Sequence, residues 1–259
     1  MEPFIVESSK FKAMAKPPER VYGVGRSELL ERPAVAIVGS RRPSAYTKGV
    51  VRTLAARLAS AGVCVVSGGA MGVDALAHDG AGASDTIAVL PCGIDLRYPV
   101  VNRSLLDAIG EKGLLLSFFE PGFRARPWSF VVRNEMVVAL ADAVVVAQAD
   151  PKSGSMRSAA FARAMGRPLY VLPHRLGESE GTQHLLAAKE AEAIYDPDGF
   201  VARFAPAVRK EEVHDPLLKF CEGGTPYELV ASRFGEALFE AELEGRVVVR
   251  EGRVYPAKR

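Results

Sequence analysis

Cysteine is scarce in this 259-residue chain. Cys64, Cys92 and Cys221 are odd in number and far apart, which excludes a disulfide scaffold. Histidine occurs four times, and no Cys or His recurs at ligand spacing, so no metal site is expected. No apolar run approaches the roughly 20 residues of a membrane helix, and Met1-Glu2-Pro3-Phe4 does not begin a signal peptide. Two nucleotide motifs are also missing. The chain has no Gly-x-x-x-x-Gly-Lys-Ser/Thr loop, and the turn after its first long apolar run is not Gly-x-Gly-x-x-Gly, so neither an ATPase of that type nor a dinucleotide cofactor is expected. The net charge of +2 is too small to name a partner. With 48% hydrophobic and 25% charged residues, the composition is that of a globular protein and not of a disordered or coiled-coil chain. A soluble cytosolic protein with no membrane partner is the expectation.

Between Val35 and Tyr195, short β-branched runs alternate with stretches of helical periodicity. The strand candidates are Val35–Val38, Cys64–Ser67, Thr86–Leu90, Leu114–Ser117, Ala143–Ala147 and Pro168–Val171. Helical spacing recurs between them, as in Val50/Leu54/Leu58 and Phe161/Ala164/Met165. Continuous apolar strands separated by helices predict a mostly parallel sheet covered on both faces, a doubly wound α/β fold. Residues 1–33, rich in proline and charge, are expected to pack on the edge of a main domain at 34–205. A linker is read at 206–216, where Ala-Pro and Arg209-Lys210-Glu211-Glu212 break the pattern. Residues 217–259 read as a small winged-helix-like unit: a helix capped by Thr225 with Pro226 in its first turn, a second at Phe234–Leu243, and a hairpin turning at Glu251-Gly252. Charge is uneven: residues 210–259 hold 8 Lys and Arg against 10 Asp and Glu, and residues 1–209 hold 25 against 21. A polyanion would therefore bind the main body.

In a doubly wound sheet the ligand crevice lies beyond the carboxyl ends of the strands. Three turns there carry small polar residues: Gly39-Ser40-Arg41-Arg42, then Ser67-Gly68-Gly69-Ala70-Met71-Gly72-Val73-Asp74, then Lys152-Ser153-Gly154-Ser155. Glycine lets a phosphate approach the backbone, and helix-start N–H groups with hydroxyls accept the anion. Three such turns on one rim predict a phosphate-lined crevice, with Arg41 adding a bidentate contact. Phe118, Phe119, Phe123 and Trp128 follow the fourth strand. They are read first as cover for the sheet edge or a dimer surface and second as bases' stacking partners. Asp74 and His78 share a helix face, but no nucleophile accompanies them, so a structural hydrogen bond is the preferred reading.

Several of these segments resemble one family. Ala36-Ile37-Val38-Gly39-Ser40-Arg41, Val66-Ser67-Gly68-Gly69-Ala70-Met71-Gly72-Val73-Asp74 with Ala77-His78, Thr86–Leu90, and Gly93-Ile94-Asp95 with Tyr98-Pro99 are similar to the DNA-processing protein A family (DprA/Smf). So are Arg133-Asn134, Ser153-Gly154-Ser155 and Gly166-Arg167-Pro168. The likeness runs from about Pro17 to Tyr195, with a shortened C-terminal unit. It implies a Rossmann-like core that binds single-stranded DNA, and a homodimer that loads RecA recombinase during natural transformation, without catalysis. It places Gly39, Ser40, Ser67, Gly68, Arg133, Asn134, Ser153, Gly154 and Ser155 on the DNA path. Lys152 joins them by its position beside Ser153.

The chain departs from the family pattern at four places. Glu135 replaces the second Arg of Arg-Asn-Arg, Gln148 stands where Glu is common, and His174 replaces the Gly of Pro-Gly. Ser117-Phe118 replaces Ser-Glu, with a carboxylate only at Glu120. Glu135 is expected to weaken binding unless it points away. The carboxylates of Glu236, Glu240, Glu242 and Glu244 on the last helix argue against a duplex reader. Two other readings use the same crevice: a nucleotide sensor, or an enzyme like the nucleotide phosphoribohydrolases. The latter need a catalytic Glu where Ser158 stands.

Overall fold

The computed structural model describes residues 2–205, 216–221, 223–243 and 245–257. Two compact units divide at residue 206, Met1–Pro206 and Ala207–Arg259. In the first, strands run in chain order as β1 (Phe4–Ile5), β2 (Tyr22–Gly25), β3 (Ala34–Val38), β4 (Cys64–Ser67) and β5 (Thr86–Val89). They continue as β6 (Leu114–Ser117), β7 (Ala143–Val146), β8 (Leu169–Val171) and β9 (Glu192–Ala193). The helices are α1 (Ala45–Ser60), α2 (Val73–Ala81), α3 (Arg103–Lys112), α4 (Pro127–Leu140), α5 (Gly154–Ala164), α6 (Glu180–Ala187) and α7 (Pro197–Ala202).

The strands form one sheet in the order β1-β2-β6-β5-β4-β3-β7-β8-β9. Ladders from β6 through β9 are parallel, and β1–β2 and β2–β6 are antiparallel. Every residue of β3 is buried, because alternate side chains serve opposite faces. Val35 and Ile37 pack with Val51, Leu54 and Leu58 of α1 and Ala77 of α2. Ala36 and Val38 pack with Met136 and Ala139 of α4 and Ala159 of α5. Two buried faces explain why the strands read as unbroken apolar runs. α1 starts where the Ser44 hydroxyl accepts from the Thr47 N–H at 3.2 Å, a side-chain cap for an otherwise orphaned donor.

Residues 1–33 do more than cover an edge. Tyr22–Gly25 pairs with Ser117–Leu114 and carries β1 with it, adding two antiparallel strands that the sequence pattern did not reveal. Glycine hid β2, and glycine is also what lets it dock. Gly25 has φ +114°, and a Cβ there would overlap the Gly113 carbonyl. The Tyr22 hydroxyl donates to Glu120 Oε2 at 2.6 Å, so the displaced carboxylate anchors the extension.

The second unit contains α8 (Pro216–Cys221), β10 (Thr225–Pro226), α9 (Tyr227–Phe234), α10 (Glu236–Leu243), β11 (Val247–Arg250) and β12 (Arg253–Pro256). Its three strands pair antiparallel in the order β10-β12-β11 around Leu217, Val230, Leu238, Val247 and Val254, an arrangement of the winged-helix kind. Thr225 is not a helix cap. It belongs to β10 and its hydroxyl donates to the Phe220 carbonyl, while α9 begins at Tyr227 with no side-chain cap. The second helix starts at Glu236 because Gly235, at φ +50°, breaks the run from Phe234. Glu236, Glu240 and Glu242 are exposed on α10; Glu244 and most of the 206–216 linker lie outside the described residues. Among the described residues no helix is long and apolar enough to cross a membrane.

Replacing Gly25 by Ala forces a Cβ onto a carbonyl at a backbone angle side chains disfavour. The variant is expected to lose about 1–3 kcal/mol of stability, read as a lowered urea midpoint, and an unchanged midpoint contradicts this account of how β2 docks.

Candidate nucleic-acid interface

Connections from β3 to β6 march one way across the sheet, and the chain then returns to place β7 on the other side of β3. The loops leaving β3 and β7 therefore diverge, which opens a crevice at the switch point. It has a volume of about 840 Å³ and is lined by Gly39, Ser40, Arg41 and Arg42 after β3, and by Phe130, Arg133 and Asn134 of α4. After β7 it takes Gln148, Asp150, Lys152, Ser153, Gly154, Ser155 and Arg157. Nine of the residues selected from sequence meet here: Gly39, Ser40, Arg41, Arg133, Asn134, Lys152, Ser153, Gly154 and Ser155.

Ser67 and Gly68 do not line it. Ser67 is fully buried and its hydroxyl donates to the Ile37 carbonyl at 2.7 Å, bracing β4 against β3. Gly68 borders a smaller cavity with Arg41, Met71, Tyr98 and Phe130. A Cβ at Gly68 would overlap the Arg133 guanidinium, so glycine is required there for packing.

The expectation that all three turns offer free amides is corrected. The second turn spends its donors internally: Gly69 N–H on His78 Nε2 at 3.2 Å, Ala70 N–H on Asp74 Oδ2 at 3.3 Å, and Val73 N–H on the Ser40 carbonyl at 3.1 Å. The first turn is similarly committed, with Ser40 N–H on the Gln148 carbonyl, Arg42 N–H on Ser40 Oγ and Ser44 N–H on Gln148 Oε1. Gln148 thus organises the β3–α1 loop, a role for its amide that the sequence did not suggest. The third turn fits the expectation best, although its Ser153 N–H donates to the Asp150 carbonyl at 3.0 Å. α5 starts at Gly154 with no side-chain cap from Ser153, so its first N–H groups have no intrahelical partner. The hydroxyls of Ser153 and Ser158 are buried without a hydrogen-bond partner. Asn134 Nδ2 approaches the Gly154 carbonyl at 3.5 Å.

Arg133 is also corrected. It is 3% exposed, donates to the carbonyls of Gly68 and Val89, and lies 4.0 Å from Asp74. It is a positive charge in the crevice floor and not an outward grip. Burial pushes the Asp74 carboxyl up and the Arg133 guanidinium down, and each partner's charge opposes the shift of the other. The cations that do reach solvent are Arg41, Arg42, Lys152 and Arg157. None of the four is in an ion pair among the described residues. Arg42, Arg157 and Phe130 were not selected from sequence. Phe130 lies three residues before Arg133, a spacing that puts both on one face of α4, and Arg41 sits 5.7 Å above its ring.

The aromatics that follow β6 form a cluster of their own, with Trp128 half exposed. Phe119 is buried and stacks on Phe123 at 4.6 Å, Trp128 meets both edge-on, and none lines the crevice. Glu135 points away as well: its Oε1 accepts from Ala15 N–H at 2.7 Å, holding the N-terminal segment against α4. His174 fills its position by placing Nε2 2.9 Å from the Ala147 carbonyl.

Asp74 and His78 do not bond to each other. Thr86 Oγ1 donates to the Val65 carbonyl at 2.6 Å, so it accepts from His78 Nδ1–H at 2.7 Å, leaving Nε2 to accept from Gly69. Burial pushes the His78 imidazole down from its ordinary 6.5 to about 3. The unfolded chain takes up this proton near pH 6.5 and the folded chain only near pH 3, so the contribution is complete above the first value and disappears toward the second. The difference in melting temperature between the native protein and His78→Asn is expected to shrink as pH falls through that window. A difference independent of pH contradicts the neutral, hydrogen-bonded imidazole.

The chain is similar to known proteins over the part that holds the crevice. A model described as DNA recombination-mediator protein A matches residues 8–205. A putative DNA processing protein DprA of Mycobacterium tuberculosis is 39% identical over 182 residues, 69% of this chain and 47% of that protein. DNA processing protein DprA of Streptococcus pneumoniae is 36% identical over 173 residues, 65% of this chain and 61% of that protein. The chain thus spans about half to under two thirds of these curated relatives. A solved structure of DNA processing protein A from Helicobacter pylori, described by its single-stranded DNA binding mode, superposes with TM-score 0.76 at 42% identity. That match covers 78% of this chain and 95% of the other. The Streptococcus pneumoniae structure superposes with TM-score 0.72 at 31% identity, covering 78% of this chain and 74% of that one. Residues 8–205 contain the whole crevice, and the chain belongs to the DNA recombination-mediator protein A family.

Proposed function

We propose that this protein is a DNA-processing factor of recombination and transformation that binds single-stranded DNA without regard to sequence, and that it is not an enzyme. One observation carries the reading. At the switch point, four exposed cations outside any described ion pair surround the uncapped start of α5 and two unpartnered hydroxyls. Guanidinium, ammonium, amide and hydroxyl donors all complement phosphate oxygens. Such groups attract a sugar-phosphate backbone and carry no base information. Phe130, with Arg41 across its face, offers a sequence-tolerant stacking surface.

Family membership supports a further step, in which the bound strand is handed to RecA recombinase by a homodimer. The acidic α10 supports the second unit as a protein-contact or dimer-supporting module, since exposed carboxylates repel a duplex.

Arg41→Ala is expected to weaken binding of oligothymidylate and oligoadenylate alike by about tenfold and to lower the salt slope by about 0.7. Fluorescence anisotropy titrations at several salt concentrations measure both. An unaltered titration, or competition by nucleoside monophosphate as effective as that by oligonucleotide, contradicts the reading; the latter outcome favours a nucleotide sensor.

A further inference from the structure

A second basic cavity adjoins the crevice. It lies between α1 and α2, has a volume of about 440 Å³, and is lined by Arg41, Arg42, Pro43, Lys48, Gly72, Ala75 and Leu76. Arg41 and Arg42 line the crevice as well, so the two cavities share a ridge, the β3–α1 loop.

The local geometry explains why the groove opens at this end. Toward the far end of α2 the helices close on each other: a Cβ at Gly80 would stand 2.5 Å from the Arg52 carbonyl oxygen. There the charge of Arg52 is spent on Asp79, with Nε 3.0 Å from Oδ2. Near the loop, α2 is preceded by Gly72, whose φ of +80° and lack of a side chain let it lie against the Ser40–Arg41 backbone. The lining there holds three cations and no carboxylate. Its floor, from Pro43, Ala75 and Leu76, is apolar. An electropositive rim over an apolar floor suits a chain whose phosphates face outward and whose sugars and bases present flat apolar surface.

We propose that a single strand held in the crevice crosses the ridge at Arg41 and Arg42 and continues into this groove, where Lys48 contacts a phosphate of the outgoing segment. The proposal rests on the crevice being a single-strand site and adds an exit path to it. Isolated phosphate would find its donors at the start of α5, whereas cations shared by two adjoining cavities suit a continuous phosphodiester.

The test compares Lys48→Glu with the native protein on oligothymidylates of about 6 and about 20 nucleotides. Lys48 is exposed in the first turn of α1, where a carboxylate suits the helix dipole, so folding is expected to survive, as a thermal melt checks. Affinity for the longer strand should fall at least about fivefold and its salt slope by about 0.7, with the shorter strand unchanged within about twofold and Lys48→Arg behaving as native. An unchanged curve on the longer strand, or equal loss at both lengths, overturns the groove and leaves the crevice standing. Native protein that binds neither length overturns the crevice reading and the groove with it.

Discussion

The reversal of strand order between β3 and β7 is the constraint from which the site follows. A parallel sheet buried on both faces has no room for polar side chains along its strands, so they collect where the strands end. Between β3 and β7 the crossovers leave in opposite directions, and among the described residues a cavity remains between the diverging loops. The cations of Gly39–Arg42 and the open start of α5 border the same void because of that reversal.

Beneath it lies a largely buried polar layer. Asp74 and His78 each bind an amide of the Gly68–Gly72 turn, Arg133 caps the Gly68 carbonyl, and Ser67 ties β4 to β3. Buried polar groups are costly unless paired, and here most of the pairs are made within this one turn. The turn therefore acts as a rigid sill, while Arg41, Arg42, Lys152 and Arg157 stay exposed. The departures from the family pattern fit this division. Glu135 and Glu120 hold the N-terminal extension, and Gln148 holds the β3–α1 loop.

How legible this was depended on local against distant information. The core strands were readable because apolar β-branched runs carry their own period, as at Cys64–Ser67 and Leu114–Ser117. β2 was not readable, because Tyr22-Gly23-Val24-Gly25 has strand character only against Leu114–Ser117, far along the chain. Thr225-Pro226 has the letters of a helix start and forms a strand instead, because pairing with Arg253–Val254 outweighs local propensity.

The amino-acid order by itself determined which turns carry small, hydroxyl and cationic residues, since these residue types follow directly on the apolar runs. Only the tertiary structure decided which turns remain open to a ligand. An amide or guanidinium is available in proportion to what its surroundings leave unpaired, and the groups that occupy Gly69, Ala70 and Arg133 are brought there by the packing of other elements. The same packing placed Phe130 under Arg41 and turned Glu135 away. These relations depend on distances between segments remote in sequence, which no local pattern encodes.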